Sequence, residues 1–132
     1  MKLHIFLVAS MLTCLYAAGQ TKDSLARAAK QDDYLSNYKR ALKYDDMGSA
    51  AYALTGYLET GGNITFRDTL AIIYYRMGNL GGSFRLANEM YEADNKNITA
   101  LTLLADITGR AGETKASLDW YEKLVPLAPS PY

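Results

Sequence analysis

Histidine and cysteine each occur once in the 132 residues, as His4 and Cys14. Beyond Cys14 the chain therefore offers no thiolate nucleophile, no imidazole general base, no disulfide and no His/Cys zinc set. Net charge is missing too, because Lys+Arg and Asp+Glu both total 14. Without an excess of either sign, nothing points to nucleic acid or to an acidic membrane surface. Disorder is disfavoured, since 49% of the residues are apolar, an ordinary share for a globular protein. A chain of this length builds one domain with a modest core.

What is present begins with Lys2 and an apolar run from Ile5 to Ala18, broken only by Ser10 and Thr13 and ending in Ala17, Ala18 and Gly19. This layout predicts a secretory signal over residues 1–19, with cleavage leaving Gln20 as the mature N-terminus. The run is shorter than the roughly 20 residues of a spanning helix, which places a retained anchor second. Lipidation at Cys14 is disfavoured because Met11-Leu12-Thr13 is a poor lipobox and apolar residues continue after the cysteine. Cleavage removes both His4 and Cys14, and an exported chain without disulfides relies on apolar packing. The expected setting is the periplasm or the outer membrane of a Gram-negative bacterium.

Residues 20–33 read as a polar, alanine-rich lead-in or short helix. From Asp33 onward apolar residues recur at helical spacing, with breaks at Gly48, Gly61-Gly62, Gly78, Asn95 to Asn97 and Gly112. Six helices follow, at about 34–47, 49–60, 64–77, 81–94, 98–110 and 114–127. Gly48, Gly78 and Gly112 are expected at left-handed helix ends, with Asn63 and Asn97 as N-caps. Pro126 predicts an end or a kink near Val125.

The punctuation repeats. Ala71, Tyr74, Gly78 and Ser83 recur 34 residues later as Ala105, Thr108, Gly112 and Ser117, and an upstream copy reads Ala41, Tyr44, Gly48 and Ala53. The interval from Gly48 to Gly78 is four residues short, which predicts a second helix cut by about one turn and an irregular first junction. Small residues at these sites let helices cross closely, with Tyr44, Tyr57, Tyr74 and Tyr121 filling the space beside them. An ordinary helical bundle is the competing architecture, but it requires no 34-residue register.

These residues resemble the tetratricopeptide repeat, a 34-residue helix-turn-helix unit. Leu101, Leu104-Ala105, Thr108, Gly112, Ser117, Tyr121 and Pro129 follow its signature spacing best, Leu101 standing for tryptophan and Thr108 for tyrosine. The likeness runs from about Tyr34 to Pro129, in repeats of about 34–63, 64–97 and 98–132. It implies an all-α fold of three antiparallel helix pairs, stacked as a right-handed superhelix. It also implies a non-catalytic module that holds a partner peptide or helix on a concave face lined by the first helix of each pair.

Projected onto this chain, that face carries Tyr38, Leu42, Asp45 and Asp46, then Asp68, Ile72, Tyr75 and Arg76, then Thr102, Asp106 and Arg110, acidic early and basic late. Arg76 and Arg110, one repeat apart, offer donor forks to a partner's carboxylates. The family's carboxylate clamp is missing, because Tyr38, Leu42, Thr69, Thr99 and Leu103 occupy its positions.

Other chemistry is poorly supplied. Asp45-Asp46 and Asp32-Asp33 are adjacent pairs that diverge on a helix. Gly78-x2-Gly81-Gly82 lacks the strand and lysine of a phosphate loop. No cofactor or metal is expected. Asn63-Ile64-Thr65 and Asn97-Ile98-Thr99 match the N-glycosylation acceptor, but capping already accounts for both asparagines. Asp23-Ser24-Leu25 and Asp68-Thr69-Leu70 resemble an O-glycosylation motif of exported Bacteroidota proteins, a match short enough to arise by chance. The face bearing Leu118, Tyr121, Leu124 and Val125 lacks an evident cover, which predicts packing on another copy, on a partner or on further repeats. A structural subunit that self-assembles through this face is the first alternative function. A hydrolase using Asp68 and Asp106 is the second.

Overall fold

The computed structural model describes the backbone of residues 2–127 and the side chains of residues 20–127. The side chains of His4, Cys14 and the Ala17-Ala18-Gly19 cleavage site, and all of Pro129, lie outside the described residues. Among the described residues every regular element is helical. They are α1 (Lys2–Lys43), α2 (Met47–Glu59), α3 (Phe66–Arg76), α4 (Leu80–Ala93), α5 (Ile98–Arg110), α6 (Thr114–Leu124) and a 3-10 turn over Val125–Leu127. Each helix packs on the next, most extensively within the pairs α1/α2, α3/α4 and α5/α6. The all-α expectation and the six-helix count hold for this region.

Residues 20–33 are not a separate lead-in or short helix but lie within α1. Every residue from Gln20 to Lys30 is exposed, so burial contributes nothing there and the strong helix formers of Leu25 to Lys30 carry the helix. The half-buried Gln31 ties α1 to the end of α2, its Nε2 donating to the carbonyl of the C-cap Thr60 at 2.7 Å.

Four helices end in the same way. After α3, the Gly78 amide donates to the Tyr75 carbonyl and the Asn79 amide to that of Tyr74, with Gly78 at φ 79°. This paired closure satisfies two carbonyls that the helix end leaves free, and it needs a left-handed residue. Gly61 and Gly112 serve the ends of α2 and α5. At the end of α1 the left-handed residue is Asp45, at φ 56°. The Asp45 and Asp46 amides there donate to Leu42 and Ala41.

Gly48 therefore does not end the first helix. It lies in the first turn of α2, behind the N-cap Asp46, whose carboxylate accepts from the Ser49 amide at 2.9 Å and the Ser49 hydroxyl at 2.7 Å. Those bonds hold the Asp46 carboxyl below its ordinary value. Asn97 and Asn79 cap α5 and α4 through Ala100 and Gly82. Asn63 instead closes a turn on Thr65 just before α3.

Placing Asp45 opposite Gly78 changes the first register. Their separation is 33 residues (78 − 45), close to the 34 between Gly78 and Gly112. The expected loss of a turn is absent, since α2 has 13 residues and α4 has 14. The junction of α2 with α3 is nevertheless less extensive than that of α4 with α5, across the longer link 60–65 compared with 94–97. Aromatic edges fill it: Phe66 meets Tyr38 at 6.0 Å and Tyr57 at 5.4 Å, both edge to face.

The core runs through all three pairs. Leu54, Leu101 and Leu104 are fully enclosed, each contributing about 1.5–3 kcal/mol by burial. The small residues Ala41, Ala53, Ala71, Ser83, Ala105 and Ser117 are all buried. The Ser83 hydroxyl donates to the Ala71 carbonyl at 2.9 Å, and Ser117 donates to Ala105 at 2.8 Å. The same bond thus recurs 34 residues on, and pairing residues either side of a turn makes the second and third hairpins antiparallel. Tyr57 and Tyr74 fill space beside these crossings, but Tyr44 is 72% exposed, because the register places it at the helix end. The chain leaves α6 at Leu124 and turns through Pro126, where a proline would cost an α-helix its next bond.

Candidate functional site

α3 and α5 lie against each other, and α6 packs on α5. This geometry brings together four of the side chains singled out in the sequence. Tyr75 on α3 donates its hydroxyl to Oδ2 of Asp106 on α5. Tyr121 on α6 donates to Oδ1 of the same carboxylate at 3.4 Å. The Arg110 guanidinium stands 4.8 Å from the Tyr75 ring centroid, near enough for a cation–π contact.

Asp106 is therefore a hub for three helices. Its hydrogen bond pushes the Tyr75 hydroxyl above the ordinary phenol value, burial adds to the shift, and the Arg110 charge opposes it. About two turns toward the other end of α3, the half-buried Asp68 accepts from Asn97 Nδ2 at 3.4 Å. Polar contacts thus join the second and third pairs along this face. Ile72 (41% exposed), Arg76 and Thr102 remain open to solvent beside them.

The first pair differs from expectation. Tyr38 is half-buried in the Phe66 stack, and Leu42 is exposed. Asp45 and Asp46 belong to the turn and the α2 cap, off the helix face on which the glycine register put them. With Asp45 opposite Gly78, the α1 residues equivalent to Ile72, Tyr75 and Arg76 are Lys39, Leu42 and Lys43. The face therefore does not run from acidic to basic. Lys43, Arg76 and Arg110 each occupy the last position of their helix, and all three are exposed. Cations there oppose the partial negative charge of a helix C-terminus.

On α6 and the turn after it, Leu118 (57%) and Val125 (70%) are exposed, Leu124 is half-buried, and Tyr121 is tied through its hydroxyl to Asp106. Trp120 faces the other way and meets Tyr91 of α4 edge to face at 5.0 Å, with the Lys123 ammonium 4.3 Å from its ring centroid. Sequence reasoning missed Phe66, Asn97 as a partner of Asp68, and the Tyr91–Trp120–Lys123 group. Each depends on which neighbouring helix lies opposite, and no local pattern encodes that.

Among the described residues no group of three or more His, Cys, Asp or Glu is placed to hold a metal ion. Nor is any described helix long and apolar enough to cross a membrane. Comparison of the sequence with the models of known protein families and with curated proteins gives no match.

Proposed function

We propose that this chain is a non-catalytic protein-interaction module built of three tetratricopeptide-like repeats in a right-handed superhelix. In this reading the face formed by α1, α3 and α5 binds an extended peptide or a helix of a partner. The observation that carries it is the column Lys43, Arg76 and Arg110, one exposed cation at the same position of each first helix. Beside it Leu42 and Ile72 offer apolar contact. Such a column suits a partner segment with carboxylates spaced to meet it, and the two arginines add bidentate geometry. The apolar run before Gly19 supports export through a cleaved signal into a bacterial envelope.

A pull-down from the native envelope tests this reading. The Ile72→Ala/Arg76→Ala variant changes only exposed side chains, leaving the Tyr75–Asp106 contact intact. It is expected to lose partners that the unaltered chain recovers. Recovery of the same partners by both would remove the proposal.

Self-assembly through α6 is the second reading, favoured by exposed Leu118 and Val125. Concentration-dependent sedimentation distinguishes the two. The hydrolase reading has less support, because Asp68 and Asp106 are both engaged by neighbouring side chains.

A further inference from the structure

The outer side of the first helix pair, facing away from α3, holds a recess of about 430 Å³. Its origin lies in the register. Ala41 and Ala53, both buried at its floor, stand where the second pair has Tyr74 and Leu86 (74 − 33 and 86 − 33). In the second pair those larger side chains fill the corresponding surface and pack toward α2, with the Tyr74 hydroxyl 3.2 Å from Thr55 Oγ1. In the first pair two methyl groups leave the space open. Its volume lies in the range that small-molecule sites occupy.

The walls are aromatic and polar together. Tyr44 and Tyr52 are 72% and 75% exposed, and Tyr34 closes the side where its ring crosses Gly56. The hydroxyls of these three tyrosines make no hydrogen bond to any described residue. Lys43 stands 6.0 Å from the Tyr44 ring, at the outer limit of a cation–π contact, so the Tyr52 ring is the freer platform. Arg40 is held in place by a 2.6 Å bond to Asn37 Oδ1. That leaves the remaining guanidinium N–H groups and the Asn37 amide as donors. Asp46 accepts from Ser49 and retains lone pairs toward the recess.

One cation and one anion line the site, so its field favours neither sign of ligand. A partner must instead present flat apolar faces to phenol rings and hydroxyls that both donate and accept. A pyranose ring has that chemistry: axial C–H groups on its faces and hydroxyls at its edge. We propose that this recess binds a neutral carbohydrate, with Tyr52 as the stacking platform and Arg40, Asn37 and Asp46 as hydroxyl partners. The site is separate from the face proposed for a partner peptide.

Saturation-transfer NMR on the full chain with cellotriose, maltotriose, xylotriose and triacetylchitotriose tests the proposal. At least one of them is expected to show transfer. Tyr52→Ala is expected to weaken that binding at least tenfold, while Ile72→Ala leaves it unchanged. Ala53→Leu restores the bulk found in the second pair and is expected to abolish binding. Circular dichroism checks its fold, and Tyr52→Ala, a surface change, decides the matter if Ala53→Leu does not fold. No transfer from any of the four sugars would overturn the proposal, as would unaltered binding by Tyr52→Ala. Tighter binding of glucuronate or glucosamine than of the neutral sugars would also overturn it. If Tyr52→Ala instead dissociates an oligomer seen in sedimentation, the recess is an interface between copies and the proposal fails.

Discussion

Ser83 on α4 donates its hydroxyl to the carbonyl of Ala71 on α3 at 2.9 Å, at a crossing where both residues are fully buried. Ser117 and Ala105 repeat the contact in the third pair. Each serine is small enough for the close crossing and polar enough to bridge it.

Removing either hydroxyl should therefore be costly. Ser83→Ala and Ser117→Ala are each expected to lower stability by about 1 kcal/mol, the usual net worth of one hydrogen bond. The two sites lie in different pairs, so the losses should add in the double variant. Ser83→Leu forces the helices apart and should cost about 1–3 kcal/mol or more. Urea unfolding followed by circular dichroism measures all four variants.

The turn after α1 supplies a change of opposite sign. Asp45 holds φ 56° in a conformation that costs an L-residue about 1–2 kcal/mol, somewhat less for aspartate. Asp45→Gly should raise stability by about 1 kcal/mol. Gly78→Ala, which places a methyl group at φ 79°, should lower it by a similar amount. A fall in the urea midpoint for Asp45→Gly would contradict the assignment of this turn.

Asp45 also marks where sequence reading stopped working. Helix number, helix type and the second and third turns were legible because glycine and asparagine punctuate a helical period at 34-residue spacing. The first turn was not, because Ala41-x2-Tyr44-x3-Gly48 imitates the pattern three residues out of phase. The residues that occupy the equivalent positions are Tyr38, Ala41 and Asp45, with the large and small side chains exchanged. Aspartate in a left-handed turn leaves no mark in a sequence with glycine three residues away. The misplacement carried into the candidate site, putting Asp45 and Asp46 in the places that Leu42 and Lys43 occupy. The arginine column at Arg76 and Arg110 was legible. The Asp106 hub was not, since it depends on α3 and α6 reaching the same carboxylate.

That hub predicts a pH effect. The hydrogen bond to Asp106 raises the Tyr75 hydroxyl above its ordinary value of 10.0. The stability drawn from this link is complete below pH 10.0 and is lost as the pH rises through the folded value. In a spectrophotometric titration of tyrosinate, Asp106→Ala should move the ionisation of one tyrosine, Tyr75, to lower pH. An unchanged titration curve in Asp106→Ala would show that the contact does not persist in solution.

Gly56 lies under the Tyr34 ring where α1 packs on α2. A Cβ at this position would collide with the Tyr34 ring. Gly56→Ala should destabilise the chain by about 1–3 kcal/mol. Tyr34→Ala in the same chain should recover part of the loss, because it removes the atoms in the way. Equal unfolding midpoints for Gly56→Ala and the unaltered chain would show that the ring moves aside freely.

The proposed function rests on the first-helix face, and one comparison tests it most directly. A peptide selected from a random library on the full chain would be titrated calorimetrically against three proteins: the unaltered chain, Ile72→Ala/Arg76→Ala, and Arg85→Ala on α4, outside that face. The account predicts at least a tenfold weaker Kd for the double variant and an unchanged Kd for Arg85→Ala. Equal affinity for all three proteins, or a loss confined to Arg85→Ala, would contradict it.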